Sequence, residues 1–376
     1  MRNLLWLGLL SCLAAGAAHA TVRVVTSTTD DVNDIGSLRH MIEIADPYDT
    51  ITFDLQYPAV IAVSDALNPD AVPLPVQKSL SISGPGSDKL TVHAYTFNAF
   101  EIYQPAVPDS DVSVAISGLA IEGAYGAIYS DNYTDPAKPF QTYLAIADVV
   151  IRCASNQIGI WVRAGTIAQV ARTTISDCGD ALFAESAAPN PPSFATVADS
   201  TFSHVFASLE AQNSAIEVTN STFAGAPVMS ELNSTITLMF TTIVGVPGAL
   251  SPSLKRLDAS AQIVLQNSLL AGNPAGNCAN STSVASADYN LSDDASCALG
   301  AAHDIDNMPA GLDPGGLAWN GGPTQTIWLL PGSPALNAIP IANCIDLDQR
   351  GVARSPGVAC DIGALESDGI FAANFE

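Results

Sequence analysis

The chain has 376 residues, of which 48% are hydrophobic and only 13% charged, so it has the composition of a protein with a large core and not of a disordered one. Its 37 acidic residues outnumber its 13 lysines and arginines, and a net charge of −24 argues against nucleic acid and anionic lipid surfaces as partners. The same charge repels polyuronates unless a local basic patch intervenes, and apart from Lys255 and Arg256 the cations are scattered singly.

Residues 1–20 have the pattern of a secretory signal peptide. Arg2 precedes an apolar run that ends in Ala18-His19-Ala20, an A-x-A cleavage site. The run is too short and wrongly flanked for a membrane span, and an N-terminal core helix is the competing interpretation. We therefore expect an exported protein without a membrane span, placed extracellularly, at the cell surface or in the periplasm.

Residues 21–58 are expected to form an N-terminal cap and the first strands. In "GSLRHMIEIADPYDTITF" (36–53), Ser37 has the side chain of an N-cap for a short helix, and Asp46-Pro47 ends that helix. The apolar face of the helix has helical spacing and consists of Leu38, Met41, Ile42 and Ala45. This opening resembles that of secreted bacterial right-handed parallel β-helix proteins, including polymorphic outer-membrane-protein-like and CSLREA-type chains, although the CSLREA signature itself is not present.

Residues 59–288 contain a recurring short phrase, for example "ADVVIRC" (147–153), "RTTISDC" (172–178) and "NSTFAGA" (220–226). The large apolar residue of each phrase serves as a marker, and the markers are Ile121, Ile151, Ile175, Phe202, Phe223, Ile243 and Leu270. Alternating β-branched and small residues predict strands, and unequal marker spacings of 30, 24, 27, 21, 20 and 27 residues favour solenoid coils over propeller blades. We expect a single-stranded right-handed parallel β-helix of about ten coils, with a β-sandwich as the alternative.

Six cysteines remain after the expected cleavage, which is typical of disulfides in an exported chain. Pairing neighbours in sequence closes the smallest loops, and the pairs are Cys153 with Cys178, Cys278 with Cys297, and Cys344 with Cys360. Cys153 and Cys178 follow their markers closely, so the rise of one coil, about 4.8 Å, places them within disulfide distance. A metal site is the competing interpretation, but the sequence has no C-x-x-C, and we expect neither metal nor cofactor.

Residues 289–366 carry a second set of motifs, "YNLSDDASC" (289–297), "DPGGLAWNGGPTQTIWLLPGSPALNAI" (313–339) and "DQRGVARSPGVACDIGALE" (348–366). Their order resembles the choice-of-anchor Q region, with Trp319, Leu336 and Ile339 as departures. The resemblance implies terminal coils that finish a β-helix on an exported protein, followed here by a tail at 367–376.

The last of these motifs groups residue types that also occur in active sites. We interpret them as structural ion pairs, since no histidine base lies near the cysteine. The candidates are Arg350, Arg354, Asp348, Asp361 and Glu366.

Two functions remain open. The first is an exported structural or adhesive display protein without catalysis, monomeric, with a cell-surface glycan or another surface protein as partner. The alternative is a carbohydrate-active enzyme, either a polysaccharide lyase or a glycoside hydrolase, or a glycan-binding module on a pectate-lyase-like β-helix. Hydrolysis requires two carboxyl groups across the scissile bond.

Sequence candidates for such chemistry are few. The adjacent acidic pairs Asp30-Asp31 and Asp293-Asp294 lie outside the expected coils, and we assign no catalytic residue. Lyase chemistry would need a base, for which Arg152, Arg163 and Arg172 are candidates only by default. Asp148 and Asp177 are expected at turns.

Overall fold

The computed structural model describes residues 20–63, 72–105, 110–123, 126–132, 140–154, 156–187, 190–354 and 359–367. The expected signal peptide, apart from Ala20, and the tail from residue 368 onward lie outside these residues. Within the described ranges, one α-helix accompanies a large number of short strands, and no helix is long and apolar enough to cross a membrane.

The strands follow one another in repeating sets of three, and each set is one coil. β1 (Val22–Val25) and α1 (Leu38–Ile44) precede the coils. The coils consist of β2 (Thr50–Phe53), β3 (Ala59–Val63) and β4 (Leu74–Val76); β5 (Leu80–Ser83), β6 (Leu90–Ala94) and β7 (Asn98–Tyr103); β8 (Val112–Ser117), β9 (Ala120–Gly123) and β10 (Gly126–Asp131); β11 (Thr142–Ala147), β12 (Val150–Cys153) and β13 (Ile158–Arg163); β14 (Ile167–Ala171), β15 (Thr174–Ser176) and β16 (Asp180–Glu185); β17 (Phe194–Ala198), β18 (Thr201–Ser203) and β19 (Ala207–Gln212); β20 (Ala215–Thr219), β21 (Thr222–Ala224) and β22 (Val228–Glu231); β23 (Thr235–Met239), β24 (Thr242–Val244) and β25 (Leu254–Arg256); β26 (Gln262–Gln266) and β27 (Leu269–Ala271); and β28 (Ala285–Ser286) and β29 (Leu291–Ser292).

These strands form three parallel sheets that run the length of the molecule. The first strand of every coil joins β1 in the first sheet, the second strand joins the second sheet, and the third strand joins the third sheet. Eight coils contain all three strands, and the last two contain strands of the first and second sheets only. The expected parallel β-helix is therefore confirmed, and the β-sandwich alternative is wrong.

The predicted markers stack in the second sheet. Ile151 pairs in register with Ile121 and Ile175, and the line continues through Phe202, Phe223, Ile243 and Leu270. All seven side chains are at most 1% exposed. The rings of Phe202 and Phe223 lie 4.8 Å apart at 10°. Because side chains alternate between the two faces of a strand, these residues point into the core and their sequence neighbours point outward.

The helix α1 covers the first coil, as its amphipathic pattern predicts. The side chain of Ser37 accepts a hydrogen bond from the backbone N–H of His40, which is the expected N-cap. Leu38 and Ile42 are buried against the core, and Met41 packs at its edge. The helix thus shields apolar side chains that would otherwise face water at the open end of the solenoid.

A two-residue turn joins the first sheet to the second in most coils. Its first residue has positive φ, and this position holds Gly118, Asp148, Arg172, Asp199, Asn220, Phe240 and Asn267. A left-handed residue turns the chain sharply without interrupting the ladders on either side. The turns therefore stack into a regular corner, and this corner receives the end of the chain.

The C-terminal segment, defined as residues 298–354 and 359–367, folds back along this corner and over the outer face of the second sheet. Asn267 Nδ2 donates to the carbonyl of Asn343 (3.2 Å), and Asn220 Nδ2 donates to that of Leu347 (2.8 Å). Thr324 Oγ1 donates to the carbonyl of Asp199 at 2.9 Å. The polar side chains of the corner thus hold the segment along several coils.

This packing differs from the terminal coils expected for residues 289–366. Within this range only β29 extends a main sheet, and the two later strands, β30 (Ile339–Pro340) and β31 (Ala359–Cys360), pair with each other. The outward positions Leu269 and Leu291 of the second sheet are fully buried. They form a second apolar core with Phe240, Ala335, Ile339 and Ile362. The C-terminal segment packs over these apolar residues of the outer face and shields them from water.

All three predicted disulfides are present. The Cα–Cα distances are 4.7 Å for Cys153–Cys178, 4.9 Å for Cys278–Cys297 and 6.1 Å for Cys344–Cys360. The first two distances match the spacing between adjacent strands, as expected for cysteines at equivalent positions of neighbouring coils.

Candidate binding face on the third sheet

The outer face of the third sheet carries two parallel rows of side chains, and we refer to it as the binding face. Inward residues of these strands, such as Ile160 and Val162 of β13, are fully buried, so their neighbours point outward. The first row consists of Glu101, Tyr129, Trp161, Phe183, Glu210, Met229 and Lys255. The second row consists of Tyr103, Asp131, Arg163, Glu185, Gln212 and Glu231.

Three aromatic residues occupy consecutive coils in the first row. The Tyr129 and Trp161 rings meet edge to face at 5.3 Å, and the Trp161 and Phe183 rings stack at 6.0 Å and 21°. Phe183 is 9% exposed, whereas Tyr129 and Trp161 are partly exposed. Outward aromatic residues in register form a continuous apolar strip on an otherwise polar surface.

Arg163 of the second row links the aromatic strip to the acidic residues of that row. Arg163 Nε lies 2.5 Å from Glu185 Oε1, and its Nη1 donates to the Tyr129 hydroxyl at 2.7 Å and lies 3.5 Å from Asp131. The guanidinium carbon lies 5.0 Å from the Trp161 ring centroid. These contacts hold the aromatic rings in fixed positions.

The same contacts set the protonation of the tyrosine. Burial, together with the hydrogen bond that the Tyr129 hydroxyl donates to Asp131 (2.7 Å), raises the pKa of Tyr129 to about 12. The hydroxyl therefore stays protonated and donates to Asp131 while it accepts from Arg163.

Two buried polar atoms on this face have no hydrogen-bond partner. These are the indole Nε1 of Trp161 and the Oδ1 of Asp131, whose residue is 5% exposed. An unsatisfied buried donor or acceptor costs about 1–3 kcal/mol, and natural structures rarely leave one without a reason. One donor and one acceptor are thus buried and unpaired beside the aromatic strip.

A pair of carboxyl groups continues the face beyond Phe183. Gln212 Nε2 donates to Glu210 Oε1 at 3.0 Å and also to Glu231 Oε1. Burial raises the pKa of Glu210 and of Glu231, and the proximity of the two carboxyl groups raises that of Glu231 further. Gln212 therefore bridges the two carboxyl groups.

The charge of the binding face is negative. Its rows contain five carboxyl groups, those of Glu101, Asp131, Glu185, Glu210 and Glu231, against two cations, Arg163 and Lys255. Arg163 is already paired with two of the carboxylates. Acidic ligands such as polyuronates are therefore repelled locally as well as by the net charge.

The basic residues considered for lyase chemistry are dispersed. Arg172 forms two 2.7 Å contacts with Asp148 at the corner, and Arg152 contacts Glu122 at 3.4 Å on the outer face of the second sheet. Arg163 alone of the three lies on the binding face, where its partners hold it as a cation.

The acidic candidates are likewise engaged elsewhere. Asp30 binds Arg39 at 2.7 Å beside α1. Asp293 Oδ2 accepts from the backbone of Gly272 (2.7 Å), and Asp294 Oδ2 accepts from that of Asn277 (2.9 Å). Asp31 accepts from the backbone of Asn33, and Asp148 and Asp177 occupy turns with positive φ.

The ion-pair candidates near the C-terminus lie together in the C-terminal segment. Arg350 and Asp348 are 2.9 Å apart, and Arg354 and Glu366 are 3.6 Å apart. Asp361 accepts from the backbone N–H of Ser367 at 2.7 Å. The side chains are buried, which places them within a folded structural unit and away from the binding face.

The sequence reasoning missed the binding face. Its aromatic residues follow their markers by similar distances, Tyr129 eight residues after Ile121 and Phe183 eight after Ile175. Continuing the coil register from each marker into the next strand would have aligned them. Among the described residues, no cluster of three or more His, Cys, Asp or Glu is placed to hold a metal ion.

Comparison with known proteins gives similarity in fold alone. No family model matches the chain, and no curated protein matches it. Jun a 1, the major allergen from cedar pollen, is 15% identical with a TM-score of 0.49, over 73% of this chain and 82% of the allergen. Pectate lyase Pel9A is 11% identical with a TM-score of 0.49, over 93% of this chain and 96% of the lyase. The assignment of the fold to this chain rests on its own strand registers.

Proposed function

We propose that this chain is an exported glycan-binding protein that displays the binding face on a rigid β-helix. The observation that carries the proposal is the aromatic row Tyr129–Trp161–Phe183 with the polar side chains of the second row beside it. Sugar rings offer apolar faces to aromatic side chains and hydroxyls to polar ones, and binding sites combine these two features. Three disulfides in one chain fit an oxidising, extracytoplasmic compartment.

The chemistry of the face selects among glycans. Five carboxyl groups disfavour uronates, so the ligand is a neutral or amino-sugar glycan. Sugar hydroxyls donate hydrogen bonds to the partly exposed carboxyl groups of the second row, such as that of Glu185. The coil spacing of about 4.8 Å repeats the contacts along the strip, which suits a linear chain lying across several strands.

Purified full-length secreted protein, tested on arrays of neutral, amino-sugar and uronate oligosaccharides, checks this proposal. We expect binding to members of the first two classes only. Trp161→Ala should weaken binding at least tenfold, corresponding to about 1.4 kcal/mol, because it removes the central ring of the row. Trp319→Ala, a matched change at a 67% exposed tryptophan of the C-terminal segment, should leave binding unchanged. Wild-type affinity in a folded Trp161→Ala protein would disprove the assignment.

A second function, glycoside hydrolysis, is favoured by one observation. Gln212 joins the carboxyl groups of Glu210 and Glu231 next to Phe183, and the raised pKa of Glu231 makes it a candidate proton donor. Product release from any array ligand, lost in Glu231→Gln with binding retained, would establish the enzyme. Binding without product would leave the display function.

A further inference from the structure

A groove of about 740 Å³ lies between the outer face of the second sheet and the C-terminal segment. Val244 and Ala271 of the sheet line one side, and Leu312, Leu317 and Ile327 of the segment line the other. The groove is thus separate from the binding face, which lies on a different sheet.

The groove follows the axis of the solenoid. Its sheet side begins at Ser203, in the coil of β18, and ends at Asp293, just after β29, so it crosses five successive coils. At about 4.8 Å per coil this is roughly 20 Å, the length of about six residues of extended polypeptide. An adjoining cavity shares Pro247, Gly272 and Asp293 with the groove and extends it to Asp294.

The lining combines aliphatic walls with negative charge. Asp293 and Asp313 contribute carboxylates, and no lysine or arginine of the described chain lines the groove. Asp313 Oδ1 accepts from the backbone of Gly315 at 2.8 Å, which fixes the carboxylate at the groove margin. Apart from the imidazole of His204, no aromatic side chain lines the groove, so it lacks the Trp, Tyr or Phe stacking surface that a sugar chain uses.

We propose that this groove binds an extended cationic peptide segment of a partner, in which aliphatic and basic side chains alternate. The aliphatic side chains enter between Val244 and Leu312, and the basic ones pair with Asp313 and Asp293. The net charge of −24 attracts such a partner from a distance and repels acidic ones. Charge complementarity and the elongated shape together favour a peptide over a compact small molecule.

Fluorescence anisotropy with a labelled, end-blocked peptide of four alternating leucine–lysine pairs tests the proposal on the full-length protein. We expect saturable one-to-one binding that weakens with salt, and no binding of the peptide with glutamate in place of lysine. Ala224→Trp, which fills the groove from the sheet side, should weaken binding at least tenfold. Asp313→Asn should weaken it about fivefold, as expected for one partly exposed charge pair.

Asp54→Asn, an equal charge change at an exposed residue of the first coil, is the matched control and should leave affinity unchanged. Equal losses in Asp54→Asn and Asp313→Asn, or full affinity in Ala224→Trp, would show non-specific attraction and overturn the proposal. If Ala224→Trp does not fold, Asp313→Lys is used in its place, because it reverses a charge at the groove on the protein surface. Unchanged peptide affinity in Asp313→Lys would also overturn the proposal. Glycan binding to the Ala224→Trp protein should be intact, which separates this site from the binding face.

Discussion

Arg354 is the most deeply buried cation of the described chain. Its guanidinium donates to the carbonyls of Asp361 (3.2 Å) and Gly363 (2.7 Å) and to Asn220 Oδ1 (2.9 Å), and it lies 4.2 Å from the Phe240 ring centroid. Burial lowers the pKa of Arg354 to about 10, so it remains protonated at neutral pH. One side chain therefore joins the C-terminal segment to the corner of the solenoid.

Arg354→Met should lower the free energy of unfolding by about 3 kcal/mol, because it leaves a buried carboxyl group and several buried acceptors without their donor. Urea denaturation at pH 7 measures the loss. Arg172→Met is the control, since its pair with Asp148 is exposed (42% and 49%) and should contribute less than about 1 kcal/mol. Equal losses in the two variants would contradict the role assigned to Arg354.

At the scale of elements, the contact between the C-terminal segment and the corner contains acidic groups that favour the neutral form. Burial raises the pKa of Glu366 to about 7 and that of Asp199 to about 6. Both values exceed those of the unfolded chain, about 4.3 and 3.9. The stabilisation that these two protonated groups provide is therefore fully present below about pH 4. It is lost as the pH rises through their folded-state pKa values of about 6 and 7.

Glu366→Gln should make this loss shallower, because the amide keeps an oxygen acceptor for the Asp361 N–H but does not ionise. We expect the wild type to lose on the order of 2 kcal/mol more than the variant between pH 5 and pH 8. Urea denaturation at several pH values provides the comparison. Glu217→Gln, an exposed glutamate of β20, should keep the wild-type slope. A wild-type slope in Glu366→Gln would rule out this titration as the cause.

Local sequence patterns predicted the features that depend on one coil or on two neighbouring coils. The markers, the Ser37 cap and the cysteine pairs each depend on strand alternation, a capping side chain or the coil rise. The packing of the C-terminal segment depends instead on contacts such as Gln349 Nε2 to Thr201 Oγ1 (2.9 Å), between residues 148 positions apart. The periodicity of the sequence gives no indication of a contact between residues so far apart. The binding face was missed because its rows become visible only when the coil register is continued from the markers into the third sheet.

At the scale of the whole molecule, each coil contacts chiefly its neighbours, so stability is distributed along the axis. The Cys153–Cys178 disulfide joins two adjacent coils near the middle, across a sequence separation of 25 residues. It therefore restricts the unfolded chain and holds these two coils together.

Replacing Cys153 and Cys178 together by alanine should lower the free energy of unfolding by about 3 kcal/mol, the value for a loop of this length. Chemical denaturation of the non-reduced protein measures it. The double replacement of Cys344 and Cys360 should destabilise the C-terminal segment and leave the central coils folded, as followed by hydrogen exchange of β12 and β15. Loss of protection throughout the molecule in that second variant would contradict distributed stability.

The backward course of the C-terminal segment bears on how the protein is made. Coils can assemble one after another as the chain is made, each on the template of the last. The outward leucines Leu269 and Leu291, however, stay uncovered until residues near 339 and 362 have also emerged. We expect a chain without these covering residues to expose an apolar outer face and therefore to aggregate or be degraded.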